Sequence, residues 1–324
     1  MMDILWQMKE MASRAVDGLV RAAGQAEYTL QSAVCALLTS DASEQLHLAI
    51  TDDFPLIARF AVWRGAKINE YRNIGTPLAR ACWFNRENIA LMLLEAGANP
   101  SFASADDGRT PLMSAINKHE NWHLGGMLIK HGADPDQRDD HSRTALHRAA
   151  IGGCGLQAKW LLLQGAWPHL ADGDRRTPLH LAAAIGHAET AEALLEHIGS
   201  RAVIGNGDVD GDTPLHLAMH AMGLPAARLL VTCGAPLNAR NNLGMTPLML
   251  ASMRSKIDLM GLLLDEGADA SCLSADGLTA LDMASTLQAR ALLVNPGHFH
   301  PPARPVLAPR IRKLLANKPP VPRL

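Results

Sequence analysis

The chain has 324 residues, of which 48% are hydrophobic and only 4% aromatic, and its formal net charge is −2. No stretch approaches 18 consecutive apolar residues, and the N-terminus lacks a basic segment followed by an apolar core, so we expect neither a membrane-spanning helix nor a Sec signal peptide. Five cysteines, at positions 35, 82, 154, 233 and 272, lie far apart and form no C-x-x-C pair. This argues against a disulfide framework or a zinc knuckle and predicts a reducing, cytoplasmic location, although export without a cleaved signal would leave no such trace.

The first 43 residues predict two helices, because apolar residues recur at helical spacing in two sets. We interpret residues 1–43 as a helical cap that covers the end of the structure that follows; a separate docking helix is the alternative. The two sets are Leu5, Met8, Met11, Ala12, Ala15, Val16, Leu19 and Val20, then Leu30, Val34, Leu37 and Leu38.

A repeat occupies most of the remaining chain. The phrase Thr-Pro-Leu-His occurs unchanged at Thr177–His180 and Thr213–His216, and near-copies recur at intervals of 33 to 36 residues. A period in the low thirties predicts a solenoid. Taking the threonine of each copy as the marker gives Thr76, Thr110, Thr144, Thr177, Thr213, Thr246 and Thr279.

Each unit reads as turn, helix, turn, helix. The marker threonine is suited to cap a helix whose first residue is proline. An alanine lies five residues beyond every marker and permits close helix packing. About twenty residues beyond most markers, a Gly-Ala pair ends a second helix, as at Gly97, Gly132, Gly165, Gly234 and Gly267.

The full pattern, D-x-x-G-x-T-P-L-H-x-A followed by Leu-Leu and Gly-Ala-Asp or Gly-Ala-Asn, resembles the ankyrin repeat from about Glu44 to Leu293. We therefore expect one elongated all-α domain over residues 44–295, an ankyrin-repeat solenoid of about eight helix-turn-helix units with β-hairpin or loop fingers. Its first unit is degraded, its fifth is irregular at Ile198-Gly199-Ser200, and its last is truncated. The resemblance also implies that His147, His180 and His216 tie neighbouring units together by hydrogen bonds.

The last segment, residues 296–324, is a basic, proline-rich tail. It holds eight prolines, six basic residues and no acidic residue, so residues 1–295 carry a net charge of −8. Such a tail can fold back, bind an acidic partner or remain solvated. Within it, Pro309 is placed to open a short helix through Ile311, Leu314 and Leu315. Its P-x-x-P spacings are weak signals in a sequence so rich in proline.

One motif suggests an enzyme. His119-Glu120-Asn121-Trp122-His123 matches H-E-x-x-H, in which two histidines one helical turn apart bind zinc and the glutamate acts as general base. In the repeat register, however, His119 and Glu120 fall in the turn between two helices, and no third ligand is apparent nearby. We therefore expect no metal and no cofactor. We find no other catalytic signature, and the flanks are too short to build an enzyme core.

In proteins that this chain resembles, partners dock on the surface formed by the fingers and first helices. Charged side chains just before the markers and aromatic side chains late in the first helix are thus the candidates for partner binding. The acidic fingertips beside the arginines make the charge mixed, which favours a protein partner over nucleic acid. The candidates are Trp83, Phe84, Arg109, Asn117, Lys118, Arg143, Arg148, Ile151, Arg176, Asp212, His220, Met245 and Arg254.

We accordingly predict a non-enzymatic module that binds a protein partner in its concave groove, as a monomer or within a hetero-complex, with no nucleic-acid or membrane contact. The alternative is a regulatory inhibitor, such as an antitoxin or a host-directed effector, that blocks an enzyme through the same surface. A zinc hydrolase using His119, Glu120 and His123 is the weakest alternative.

Overall fold

The computed structural model describes residues 41–71, 75–116, 122–197, 204–221 and 224–295. The predicted N-terminal helices, the irregular stretch at residues 198–200 and the basic tail lie outside these ranges. Within them the chain forms helices and turns and contains no β-strand. The helices are α1 (Ala42–Thr51), α2 (Pro55–Trp63), α3 (Pro77–Trp83), α4 (Glu87–Glu95), α5 (Pro111–Ala115), α6 (Trp122–Lys130), α7 (Ala145–Gly152), α8 (Gly155–Leu163), α9 (Pro178–Ile185), α10 (Ala188–Glu196), α11 (Pro214–His220), α12 (Leu224–Thr232), α13 (Pro247–Met253), α14 (Ile257–Asp265) and α15 (Leu287–Val294).

The marker threonines from Thr76 to Thr246 precede and cap the first helices of their units, as predicted. The Oγ1 of Thr76 accepts a hydrogen bond from the backbone N–H of Ala79 at 3.2 Å, and Thr110 accepts from Met113 at the same distance. Proline at the next position costs no hydrogen bond, because that N–H has no partner within the helix. A second helix such as α4 ends where Gly97 adopts a φ of 90°, a left-handed conformation suited to glycine.

The helices form two layers that follow the repeat. Each first helix packs on the first helices of the neighbouring units and on the second helix of its own unit. The alanine five residues beyond each marker is at most 4% exposed, which lets the helices approach closely. These alanines are Ala81, Ala115, Ala149, Ala182, Ala218, Ala251 and Ala284. The prediction of an all-α ankyrin solenoid is confirmed.

The fingers are turns joined by one backbone hydrogen bond from each finger to the preceding one. The N–H of Asp140 donates to the carbonyl of Asp107 at 3.2 Å, and that of Val209 donates to Asp174 at 3.0 Å. The same bond recurs at Gly173, Asn242 and Ala275. The fingers therefore form a continuous row although none of them contains a strand.

The two end units differ from the rest. Helix α1 buries Leu46 and Ile50 completely, so the degraded first copy still packs as a helix of the stack. In the last unit, residues 280–283 form only a turn where a first helix would stand, and α15 completes the unit. The truncation predicted for the last unit thus falls on its first helix.

One position in the finger turn requires left-handed backbone. Gly211 occupies it with a φ of 77°, and a Cβ atom there would lie only 2.7 Å from the side-chain oxygen of Asn242 in the next finger. Arg175 holds the equivalent position with a φ of 60°. A residue with a Cβ atom is strained in this conformation, whereas glycine is not.

Replacing Arg175 by glycine should therefore stabilise the protein, by roughly 0.5 to 1 kcal/mol, because the strain is relieved. Urea unfolding would measure this. The matched control is Asp174→Gly, one residue earlier, where φ is negative and added flexibility should be slightly destabilising. An Arg175→Gly variant no more stable than Asp174→Gly would contradict the assignment.

Candidate functional site

The candidate site is the surface lined by the fingers and the ends of the first helices, which we call the groove face. Seven and eight residues beyond the markers, this face presents large apolar side chains that are about half exposed: Trp83 (52%), Ile185 (48%) and Met253 (44%). Phe84 and Ile151 at these positions are partly buried against the core. The short first helices place these side chains, because each helix ends at or near them.

Two aromatic rings at the end of α3 lie beneath arginines. The guanidinium carbon of Arg109 is 6.0 Å from the centroid of the Trp83 ring, and that of Arg80 is 5.9 Å from the centroid of Phe84. Asp107 orients Arg109 through a 2.5 Å ion pair, and Thr51 accepts a 2.8 Å hydrogen bond from Arg80. We call Trp83, Phe84, Arg80 and Arg109 the Trp83 cluster. Its cations are attracted to the faces of the rings.

Two of the arginines that precede the markers, Arg143 and Arg176, connect neighbouring units. Arg143 Nε donates to Asp172 of the next unit at 3.3 Å, and Arg176 Nε donates to Asp208 of the next unit at 3.1 Å. Both carboxylates are at most 1% exposed. Arg148 pairs at 2.5 Å with Asp139 of its own unit, also buried. Much of the charge expected on this face is therefore neutralised within the stack.

The buried carboxylates also shape the fingers. The Oδ1 of Asp208 accepts hydrogen bonds from the backbone N–H groups of Asp210 and Asp212, both at 3.0 Å. At the next contact the acidic residue is on the other side. Asp212 precedes the marker Thr213, where the two preceding units have arginine. There Asn241 donates its amide to Asp212 at 2.8 Å and still accepts from Met245 N–H at 2.9 Å. A carboxylate in place of this amide would repel Asp212.

The sequence analysis did not predict these contacts between units, although the sequence contains a pattern that indicates them. The residue that opens D-x-x-G is aspartate in the two units that follow Arg143 and Arg176. It is asparagine in the unit that follows Asp212. Comparing the residue before one marker with this position in the next unit predicts these three pairs, although it also predicts Arg109–Asp139, and Asp139 binds Arg148 instead.

The recurring histidines join neighbouring units, as predicted. In each, Nδ1 accepts from the N–H of the marker threonine at 3.1 Å. Nε2 therefore carries the proton and donates to a carbonyl of the next unit at 2.9 to 3.0 Å. Burial lowers the pKa of all three, that of His147 to about 4. The histidines are His147, His180 and His216.

The remaining predicted contact residues fall into three groups. His220 and Arg254 are exposed. The pKa of His220 is lowered, mainly by partial desolvation of its ring and secondly by the positive charge of Arg254. Met245 is 8% exposed and its carbonyl accepts from His216, so its side chain is not available to a partner, contrary to expectation. Asn117 and Lys118 lie outside the described residues.

The H-E-x-x-H match is only partly described. His123 lies on α6, which begins at Trp122, whereas His119 and Glu120 are outside the described ranges. Among the described residues, no three His, Cys, Asp or Glu side chains are grouped so as to hold a metal ion. The helices described here include none long and apolar enough to cross a membrane.

Comparison with protein families agrees with this geometry. A model for an ankyrin repeat matches residues 107–140, a model for three ankyrin repeats matches 152–241, and a model for many copies matches 230–284. The chain belongs to the ankyrin repeat family. The match over 152–241 includes both the Arg176–Asp208 pair and the Asp212–Asn241 pair, whereas Arg143 lies between two matched ranges.

The similar curated proteins have diverse names. The chain is 34% identical over 223 residues to the chicken nuclear factor NF-kappa-B p105 subunit, covering 60% of this chain and 23% of that protein. It is 32% identical over 164 residues to the Drosophila melanogaster NF-kappa-B inhibitor cactus, covering 49% and 31%. It is 29% identical over 228 residues to human transient receptor potential cation channel subfamily A member 1, covering 59% and 20%. The chain spans less than a third of the length of each of these proteins.

Replacing Asp208 by alanine should destabilise the ankyrin stack by about 2 to 4 kcal/mol. It leaves two backbone N–H groups and the Arg176 guanidinium without their buried acceptor. Asp210→Ala, two residues away at the exposed fingertip, is the matched control and should change stability by less than about 0.5 kcal/mol. Equal losses in urea unfolding would show that the buried carboxylate has no special role.

Stability should fall as pH drops from 6.5 towards 4. The histidine pKa values are lower in the folded chain than in the unfolded chain, so the unfolded state binds more protons in this window. His147 alone should account for roughly 2 kcal/mol between pH 7.5 and pH 5. Urea unfolding at the two pH values would measure the loss.

The control for this pH dependence is His147→Gln, which retains an acceptor for the capping hydrogen bond but does not titrate. It should lower stability at pH 7.5 and reduce the difference between the two pH values. An undiminished difference would exclude His147 as a source of the acid sensitivity.

Proposed function

We propose that this chain is a non-enzymatic module that binds a protein partner on the groove face, with the Trp83 cluster as its main anchor. Membership of the ankyrin repeat family supports protein binding in general. The exposed ring of Trp83 beneath Arg109 is the observation that favours this part of the face. Tryptophan and arginine are the residue types in which binding energy is most often concentrated.

The rigidity of the support strengthens the proposal. Trp83 closes a helix whose other residues are mostly buried, and Arg109 is held by Asp107. Side chains that are already ordered lose little conformational entropy when a partner binds. Ile185 and Met253 occupy equivalent places further along the stack and extend the apolar surface.

The charge of the groove face favours a protein over nucleic acid. Arg143 and Arg176 are paired with buried carboxylates, and exposed carboxylates stand at the fingertips. Phosphate backbones require a broad positive surface, which this arrangement does not supply. The exposed fingertip carboxylates are Asp106, Asp140, Asp174 and Asp210.

A regulatory inhibitor is the second candidate, with the same surface as its binding site. The observation in its favour is the similarity to cactus, a protein named as an NF-kappa-B inhibitor. For this chain we infer only the class of role: the partner would be an enzyme or regulator whose activity falls on binding. We further propose a cytoplasmic location and a monomer or hetero-complex.

The test begins with affinity capture using the intact chain, followed by identification of the protein that co-purifies. Trp83→Ala should weaken binding to that partner by about thirtyfold or more, the loss typical of a hot-spot residue. Trp122→Ala is the matched control, because Trp122 is equally exposed, at 49%, but begins a second helix. Calorimetry would give both affinities.

Binding that is unchanged in Trp83→Ala, or weakened equally in Trp122→Ala, would contradict the proposed anchor. A scaffold and an inhibitor are then separated by assaying the partner's own activity with the intact chain and with Trp83→Ala. Inhibition that weakens in step with binding identifies an inhibitor, and bound partner with full activity identifies a scaffold.

A further inference from the structure

The last unit leaves apolar side chains exposed that are buried in every other unit with a marker threonine. The leucine two residues beyond the marker is at most 1% exposed in six units, but Leu281 in the last unit is 40% exposed. The six buried leucines are Leu78, Leu112, Leu146, Leu179, Leu215 and Leu248. Leu281 has lost the cover that a following unit would provide.

The exposure continues along α15. Ala289 and Leu292 are buried towards the stack, whereas Leu287 is 86% exposed and Val294 is 62% exposed. We call Leu281, Leu287 and Val294 the end face. Solenoids need terminal units with a polar outer surface, because an open apolar face promotes association. Among the residues described at this end of the stack, the three apolar side chains of the end face are exposed instead.

We propose that residues 309–315 of this chain cover the end face. The chain continues from Asn295 at the end of α15, so the tail that carries this segment is attached next to Val294 of the end face. Residues 296–308 connect Asn295 to Pro309, and these fourteen residue-to-residue steps span up to about 46 Å when extended, more than enough to return across a helix of eight residues. Attachment at this short distance gives a high effective concentration.

The segment has the required pattern. Ile311, Leu314 and Leu315 follow the spacing i, i+3, i+4, which places apolar side chains on one side of a helix opened by Pro309.

Charge supports the same occupant. Residues 257–295 contain six acidic residues and a single basic one, Arg290, whereas residues 296–324 contain six basic residues and no acid. Asp276 and Asp282 are exposed in the last unit. Attraction between the acidic last unit and the basic tail would hold the tail near this end and orient it. Burial of apolar side chains against the end face would supply most of the stabilisation. The proposal is independent of which protein binds the groove face.

Hydrogen exchange on the full chain tests the contact. Replacing Ile311, Leu314 and Leu315 by serine should accelerate exchange of the α15 amides about tenfold, because local opening of the last unit becomes easier. Amides of α7 and α9 should not change. The matched control is Val321→Ser, an apolar tail residue outside the segment. Unchanged α15 exchange in the triple variant would overturn the proposal.

A second experiment tests the same contact without a substitution. Trypsin should cleave after Arg310 and Arg312 at least tenfold more slowly in the intact chain than in a synthetic peptide of residues 296–324, and equal rates would overturn the proposal. A second copy of the chain is the competing occupant. Light scattering that shows a dimer abolished by Leu281→Asp but not by the triple tail variant would likewise overturn it.

Discussion

The buried carboxylate that opens each central finger is the interaction on which the rest of the structure depends. Asp172 and Asp208 each bind backbone N–H groups of their own finger and the arginine of the preceding unit. One side chain therefore fixes the turn and its distance from the neighbouring turn. Without such contacts a helix pair of this size has no stable structure, because its apolar face is buried only by its neighbours. The histidine bonds to the next carbonyl add a second fastening at the base of each finger.

The fold was predictable from the sequence because other requirements of the stack recur at fixed positions in the unit. Thr-Pro fixes where the first helix begins, and the alanine fixes how closely the helices pack. The histidine is required because it bonds both to the marker threonine and to a carbonyl of the next unit. Each of these residues recurs at a fixed position, so the pattern can be recognised without knowing the structure. The family and the all-α solenoid follow from that pattern.

The groove face was less predictable, because a side chain's role there depends on the next unit. Arg143 and Arg109 stand at the same register position, yet Arg143 is bound to Asp172 whereas Arg109 lies over Trp83 and pairs with Asp107. Position within the unit identifies both as candidates and does not distinguish them. Met245 shows the same limit, since a buried methionine takes the place of a charged side chain. The contact between units decides which residues remain available for a partner.

The distinction between frame and surface also explains the diversity of the similar proteins. Residues that satisfy neighbouring units are constrained by the stack, which is consistent with similarity to proteins named as a nuclear factor subunit, an inhibitor and a cation channel. Positions such as Trp83, Ile185 and Met253 are less constrained, because each closes a first helix with about half of its side chain exposed. They can differ from unit to unit without loss of the fold. Specificity in a repeat protein of this kind therefore resides in the residues by which its units differ, on a frame set by the residues that they share.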